Sequence, residues 1–377
     1  MGDSEEAVKQ RRQSNSDSVA DKLVRQDLPP CTFFLSTGST LLDLAISDRY
    51  PGGVGSGRIT HIYGENSTAK SLLAQEVLGS AQRAGGHAIF EDAETTLDFP
   101  RAERLFGLNT GIWKDESRRA ALADAPFADA VAANIGFTYR VPHFIEHLFD
   151  EEIAGAVKLI KDGKLPRPAA MAVDTFSALT SIAEAGADLG DGTYGTSRAK
   201  QMSAAFRKHI WDMARADLTV LAIDQTREKI GVAWGDKKAV SGGKALPFYA
   251  STRVYLQNAG KVLNKHKRAV GVDIKFTVEK NKIAAPYREG MFRILFDYGI
   301  DDIAGNLLWL KDNPVENGKV RLNGAWFTWG DERMGCGLDE AVVWVEEAGK
   351  EKEVEQEVVS VWRMVYAPLE RRPRRRE

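Results

Sequence analysis

Lys70 and Ser71 are the residues of this chain best suited to hold a phosphate. They close the stretch "IYGENSTAKS" (62–71), which has the spacing of a phosphate-binding loop, G-x-x-x-x-G-K-[ST]. Gly64, Lys70 and Ser71 stand in place, and Ala69 occupies the position of the second glycine. In such a loop the backbone N–H groups of Gly64, Glu65, Asn66, Ser67, Thr68 and Ala69, with the N-terminus of the following helix, cradle the phosphates. The lysine reaches the β- and γ-phosphates and the serine hydroxyl ligates Mg²⁺. Ala69 lies where loop turns into helix. Near-helical dihedrals are expected there, and at such dihedrals alanine is acceptable and a better helix former than glycine.

Three further stretches supply partners for that chemistry. "AMAVDTFS" is an apolar run ending in Asp174, the form of a Walker-B aspartate that holds Mg²⁺ through water. "AIFEDAETTLD" ends another apolar run in Glu91, Asp92 and Glu94. A carboxylate at the C-terminal edge of a strand can orient a water for attack, while the plainer role of such acids is to cap the next helix. "LAIDQT" places Gln225 just past a fourth strand end, where an uncharged amide can sense a γ-phosphate. "HFIEH" (143–147) matches H-x-x-E-H, a zinc-peptidase pattern. A helix is expected there, since Pro142 precedes it and "LFDEEIAGAVKLI" continues it. No downstream glutamate motif accompanies it, so the two histidines read as exposed residues on a helix that flanks the core.

The elements that must position these residues are legible as alternation. "RITHIYG" (58–64), "HAIFED" (87–92), "AAMAVDTF" (169–176) and "LTVLAIDQT" (218–226) read as strands. Helix "SLLAQEVLGSAQRAGG" follows the first, with Gly85-Gly86 as its stop. Such alternation implies an α/β core, a mostly parallel sheet with flanking helices. After 248 the pattern changes to successive strands, "STRVYLQNA", "VDIKFTVEKNKI" and "MFRILFDYG". A smaller Trp-rich unit begins near 306. The expected division is a flexible N-terminal segment over 1–32, with a short helix at 17–27, then a core over 33–305, a small α+β C-terminal domain over 306–365, and a basic tail over 366–377.

At 377 residues, with 43% apolar residues, the chain can fill such cores. Its net charge is −2, so any attraction to a polyanion is local. Two segments are locally basic. "TSRAKQMSAAFRKHI" (196–210) carries Arg198, Lys200, Arg207 and Lys208 and no acid, and "TREKIGVAWGDKKAVSGGK" (226–244) carries five basic residues against Glu228 and Asp236. The two cysteines, Cys31 and Cys336, form no metal or redox spacing and suggest a reducing compartment. No apolar run has the length of a membrane helix and no signal peptide is visible. A cytoplasmic protein with no membrane partner is expected.

Taken in order, "LSTGSTLLDLAI", "GRITHIYGENSTAKS", "FEDAETTLD", "VDTFSALTS", "DQTREKIGVAWG", "SGGKALPFYAS" and "VEKNKIAAPY" resemble the RecA family of DNA recombinases, from about 33 to about 365. "REKIGVAWG" and "KNKIAAPY" separate it from a generic P-loop protein or a ring helicase. The resemblance implies a RecA-type P-loop core, ATP and Mg²⁺ as cofactors, and a helical filament on single-stranded DNA that also takes up double-stranded DNA. It implies that Lys70 and Ser71 bind phosphate and metal, Glu94 activates water, Asp174 is the Walker-B acid and Gln225 senses the γ-phosphate. It puts Lys280 and Lys282 on the neighbouring subunit's nucleotide. Loops near 186–197 and 226–243 would grip DNA, with Tyr194, Lys200, Arg207, Arg227, Ile230, Trp234, Gly242, Gly243 and Lys244 on its path.

This chain departs from the family pattern at several points. Ala69 replaces glycine, Asn66 a usual glutamate, Asp224 an asparagine and Pro247 a lysine. "FPRAERLFG" has an extra residue, so the aromatic that stacks on adenine has no clear counterpart. Residues 107–136 are an insertion, and the tail is basic where bacterial housekeeping members are acidic. A divergent recombinase, of the kind phages or prophages encode, is the expectation. The rival is a non-hydrolysing, nucleotide-gated protein that coats single strands or acts as a mediator.

Overall fold

The computed structural model describes residues 29–186, 196–228, 238–240 and 245–367. The expectations for 1–28, for Tyr194, Ile230, Trp234, Gly242, Gly243 and Lys244, and for the tail from 368 fall outside the described residues.

A two-stranded ribbon of β1 (Phe34–Leu35) and β2 (Val54–Gly55) leads into the main sheet. That sheet holds β3 (Ile59–Gly64), β4 (His87–Asp92), β5 (Phe137–Arg140), β6 (Ala169–Asp174), β7 (Thr219–Glu228), β8 (Lys238–Val240), β9 (Thr252–Leu263), β10 (Ala269–Asn281), β11 (Arg288–Leu295) and β12 (Gly299–Asp301). Their order is β12-β11-β10-β9-β3-β7-β6-β4-β5, with β8 beside β7. The pairs from β5 to β9 are parallel. Those from β9 to β12, and β7 with β8, are antiparallel.

Strands β3, β4 and β6 are buried at every residue, as parallel strands covered on both faces must be. On one face Phe90, Ala172, Leu221 and Ile223 meet Leu73, Val77 and Leu78 of the helix Lys70–Arg83. On the other, Ile89, Met171, Val173 and Val220 meet Phe149, Phe206 and Met213. The expected strand bounds hold within two residues for β3, β4, β6 and β7. The helix begins at Lys70, and Gly85 follows it at φ 81°.

One expectation is corrected here. The segment from Pro142 is not one helix carrying both histidines. Phe144 is extended, the helix Ile145–His147 follows, Leu148–Ile153 is a turn of π-helix, and Ala154–Lys161 completes the run. His143 therefore precedes the helix, and the one-turn spacing that a zinc pair needs is lost. Among the described residues no His, Cys, Asp and Glu group is placed to hold a metal. The compositional change at 306 falls inside the helix Asp302–Asp312. The Trp-rich unit beyond it, with β13 (Val320–Asn323), β14 (Trp326–Trp329), β15 (Glu332–Cys336) and two helices, shares one core with the sheet through Leu307, Leu310, Phe327, Val345 and Trp362.

The insertion has structure. A 3₁₀ turn (Gly111–Lys114) and the helices Glu116–Leu122 and Phe127–Ala133 lie along β5. Trp113 Nε1 and Asn134 Nδ2 both donate to Phe137 O, at 2.9 and 3.0 Å. Among the described residues no helix is long and apolar enough to cross a membrane.

Candidate nucleotide site

Where β3 passes into the loop, Gly64 is required by contact. A Cβ there would lie 2.2 Å from Leu256 O on β9. The loop then turns through two left-handed residues, Ser67 at φ 59° and Ala69 at φ 62°, ψ 26°. The near-helical expectation for Ala69 is thus corrected. Lys70 is the first helical residue and Ala69 the cap before it, where helical dihedrals no longer apply. An alanine Cβ in this region crowds the following carbonyl, at about 1–2 kcal/mol.

Lys70 is buried, and its Nζ donates to Glu65 O at 2.6 Å, Gly64 O at 3.3 Å and Thr68 Oγ1 at 3.4 Å. Burial lowers its pKa, against the pull of Asp174, Glu94 and Asp224. Thr68 Oγ1 donates to Glu65 O at 2.8 Å, which closes the loop on itself.

The loop forms one wall of a cleft of about 360 Å³, with Lys70, Ser71, Glu94, Asp174, Thr175 and Gln225 around it. Asp174 is 2% exposed and its Oδ2 has no hydrogen-bond partner. Burial, foremost, raises its pKa to about 6. The Ser71 hydrogen bond opposes that shift, and Glu94 and Asp92 add to it. An acid carboxylate oxygen that is buried without a partner beside a serine hydroxyl fits a hydrated Mg²⁺. Glu94 accepts from Thr175 Oγ1 at 3.0 Å, and its N–H donates to Asp174 O at 3.3 Å. That holds the Glu94 carboxylate at the cleft mouth.

Of the three acids ending β4, only Glu94 lines the cleft. Asp92 caps the next turn, accepting from Thr96 N, Leu97 N and Tyr139 Oη. Glu91 is fully buried on the sheet face opposite the loop helix, near Glu152 and Arg140.

Sequence reasoning missed the far wall. Thr96, Asp98, Arg101 and Phe106 line it. Asp98 caps the helix Phe99–Phe106 by accepting from Arg101 N, with Pro100 in the first turn. That D-F-P start was a readable signal. It brings Arg101 and Phe106 to the wall of the cleft.

Lys280 and Lys282 do not line this cleft. Lys280 Nζ donates to Pro247 O and Phe248 O at 2.9 and 2.7 Å. Its pKa falls to about 8 by burial and by the charges of Lys282 and Arg253. Lys282 is exposed. Lys200 and Arg207 are exposed on the helix Thr196–Ala216, and their spacing of seven puts them on one face. Arg227 lies on β7, paired in register with Ala239 of β8. A larger cavity, about 730 Å³, lies beside β5 between the insertion and the 143–151 segment.

The parallel sheet, with a phosphate-type loop leaving β3 and acids at the neighbouring strand ends, is the α/β architecture of a RecA-type core. Comparison with known proteins agrees. The family model for the RecA N-terminal domain matches residues 7–112 and 154–301, more than half of the chain. "Protein RecA" of Rubrobacter xylanophilus is 35% identical over 308 residues, covering 81% of this chain and 77% of the relative. That of Thermus thermophilus is 35% identical over 307 residues, 81% of this chain and 78% of the relative. That of Deinococcus radiodurans is 33% identical over 324 residues, 86% of this chain and 77% of the relative. The chain belongs to the RecA family, as a divergent member. Residues 113–153, which supply most of the walls of the larger cavity, lie between the two matched stretches.

Proposed function

We propose that this protein is an ATP-dependent DNA recombinase. It polymerises on single-stranded DNA, pairs it with homologous duplex and exchanges strands. The observation that carries the reading is the convergence of Lys70, Ser71, Glu94, Asp174 and Gln225 on one cleft. Family membership supports DNA as the partner.

In this reading Lys70 leaves its loop carbonyls for the β- and γ-phosphates, and Ala69 to Ser71 offer N–H groups at the helix N-terminus. Ser71 and, through water, Asp174 would hold Mg²⁺, which when bound neutralises phosphate charge. Glu94 orients the attacking water, and Thr175 keeps the Glu94 carboxylate in place. Gln225 senses the γ-phosphate. Lys280 and Lys282 act on the next subunit's nucleotide. Lys200, Arg207 and Arg227 contact DNA phosphates.

The rival reading, a coat or mediator protein that binds nucleotide without hydrolysis, draws on the strained Ala69. Two assays separate them: ATP hydrolysis with and without single-stranded DNA, and strand exchange with and without ATP. DNA-stimulated hydrolysis with ATP-dependent exchange is expected. ATP-gated DNA binding without either activity would select the rival.

A further inference from the structure

A chain of polar side chains crosses the sheet from β7 to β10. Asp224, beside Gln225, is 1% exposed. Its Oδ2 lies 3.3 Å from Nε2 of His61 on β3, an approach that falls short of hydrogen-bond geometry, and neither Asp224 Oδ1 nor His61 Nε2 has a hydrogen-bond partner. His61 is 0% exposed. Its Nδ1 accepts from Nε of Arg253 on β9 at 3.4 Å, which leaves Nε2–H to face Asp224. Burial, foremost, keeps this imidazole neutral. The His61 ring stacks on Tyr63 at 4.7 Å, and the Arg253 guanidinium lies 4.4 Å over the same tyrosine. Arg253 Nη1 is 3.5 Å from Oε2 of Glu279 on β10, and the Tyr63 hydroxyl donates to that same oxygen. Glu279 sits at the register shift just before Lys280, and Arg253 faces Lys280 across the ladder.

One end of this chain adjoins the residue proposed to read the γ-phosphate. The other adjoins a lysine proposed to act on the next subunit's nucleotide. Stability does not explain it, since well-packed apolar side chains in place of buried ion pairs are often as stable or more so. The arrangement does fix, relative to one another, two points three strands apart. At the far point Lys280 rests on the carbonyls of Pro247 and Phe248.

We propose that Asp224, His61, Arg253 and Glu279 are positioning residues that couple the state of Gln225 in one nucleotide cleft to the placement of Lys280 against the neighbouring cleft. The proposal rests on the recombinase reading above. When Gln225 moves to a γ-phosphate, Asp224 moves with it on the same strand. His61 and Arg253 follow through their shared contact, and Glu279 resets the backbone that carries Lys280. An occupied cleft thereby prepares the next one along the filament.

The test uses the full chain at saturating single-stranded DNA, with hydrolysis measured across ATP concentration. Wild type is expected to be cooperative. Asp224→Asn, His61→Gln and Glu279→Gln should each bring the Hill coefficient toward 1 and raise the half-saturating ATP about fivefold or more. The rate at saturating ATP should be little changed, and binding of a fluorescent ATP analogue to dispersed subunits should stay as in wild type. The double variant Asp224→Asn/Glu279→Gln should be no worse than either single variant, because both cut one chain. Glu279, 40% exposed, provides a variant that does not threaten the core. Wild-type cooperativity in the variants, additive losses in the double, or a parallel loss of analogue binding would overturn the coupling. So would a non-cooperative wild type. A wild type without DNA-stimulated hydrolysis defeats the recombinase reading and the coupling with it, whereas normal wild-type behaviour with unaffected variants defeats the coupling alone.

Discussion

Ala69 holds a left-handed backbone that glycine adopts freely, so the loop works under strain. Ala69→Gly should tighten ATP-analogue binding, by no more than about tenfold, or roughly 1.4 kcal/mol. Titration of the analogue against both proteins checks this, and weaker binding by the glycine variant would contradict it. Lys70→Ala should remove binding, since Lys70 is the one cation within the loop itself. Asp174 gives a pH signature. Its carboxyl in the free protein titrates near 6, and protons there compete with Mg²⁺. Mg²⁺-dependent nucleotide binding should therefore weaken as pH falls through about 6, beyond the effect of the nucleotide's own titration. Asp174→Asn should bind more weakly overall and lose that extra pH dependence. At this scale spacing in the sequence was enough to single out Lys70, Ser71, Asp174 and Gln225, which line one cleft. It was ambiguous for Glu91, Asp92 and Glu94. Strand alternation separates Glu91 from Asp92, while Glu94 lies past the end of β4, and only the turn after the strand brings it to the cleft. The dihedrals of Ala69 depart from the near-helical expectation because the loop-to-helix boundary falls between Ala69 and Lys70.

The element with most at stake is the π-helical turn Leu148–Ile153. It presents Glu152 to Arg140 on β5, with Nε to Oε1 at 2.9 Å and side-chain exposures of 0% and 5%. Glu91 lies beside them without a hydrogen-bond partner on either oxygen. Two buried carboxyls share one guanidinium, and burial, foremost, raises the pKa of both. Arg140→Met removes the guanidinium they share and should cost about 3–5 kcal/mol, read from urea unfolding. The folded pKa values exceed the unfolded ones, so the folded protein keeps protons that the unfolded chain releases. Stability tied to these groups is therefore present at low pH and lost as pH rises through the folded values. As pH rises above the ordinary carboxylate range the urea midpoint of wild type should fall, and Glu91→Gln should flatten that slope. The main strands were legible because each is an unbroken apolar run between turn signals. The π-turn was not, since its apolar spacing differs from an α-helix by one residue per turn. β5 escaped notice because it is short and follows the insertion that covers it.

Across the whole molecule, the separation of Lys280 and Lys282 from the cleft of their own chain makes a prediction about mixtures. Lys280→Ala/Lys282→Ala protein should fail to hydrolyse ATP on DNA, and so should Lys70→Ala. Combined, they should recover part of the activity, because one subunit offers lysines to the other's intact loop. Hydrolysis measured across mixing ratios checks this, and a flat response would contradict action between subunits. Composition placed a change near 306, and the structure carries a helix through that point. The helix Asp302–Asp312 carries Leu307 and Leu310 from the sheet into the Trp-rich unit, so a boundary drawn on composition cuts a continuous core.

The grip of Lys70 on its own loop sets a threshold for admission to the cleft. Nζ has three oxygen partners inside the protein, and a ligand must outbid them before it gains the lysine. A lone inorganic phosphate brings little charge and few additional contacts. A nucleoside triphosphate would bring the charge, and its ribose and base would offer further contacts to a cleft lined also by Arg101 and Phe106. On the proposed reading the loop would act as a latch with a minimum key, one that a small anion would not turn and a whole nucleotide would.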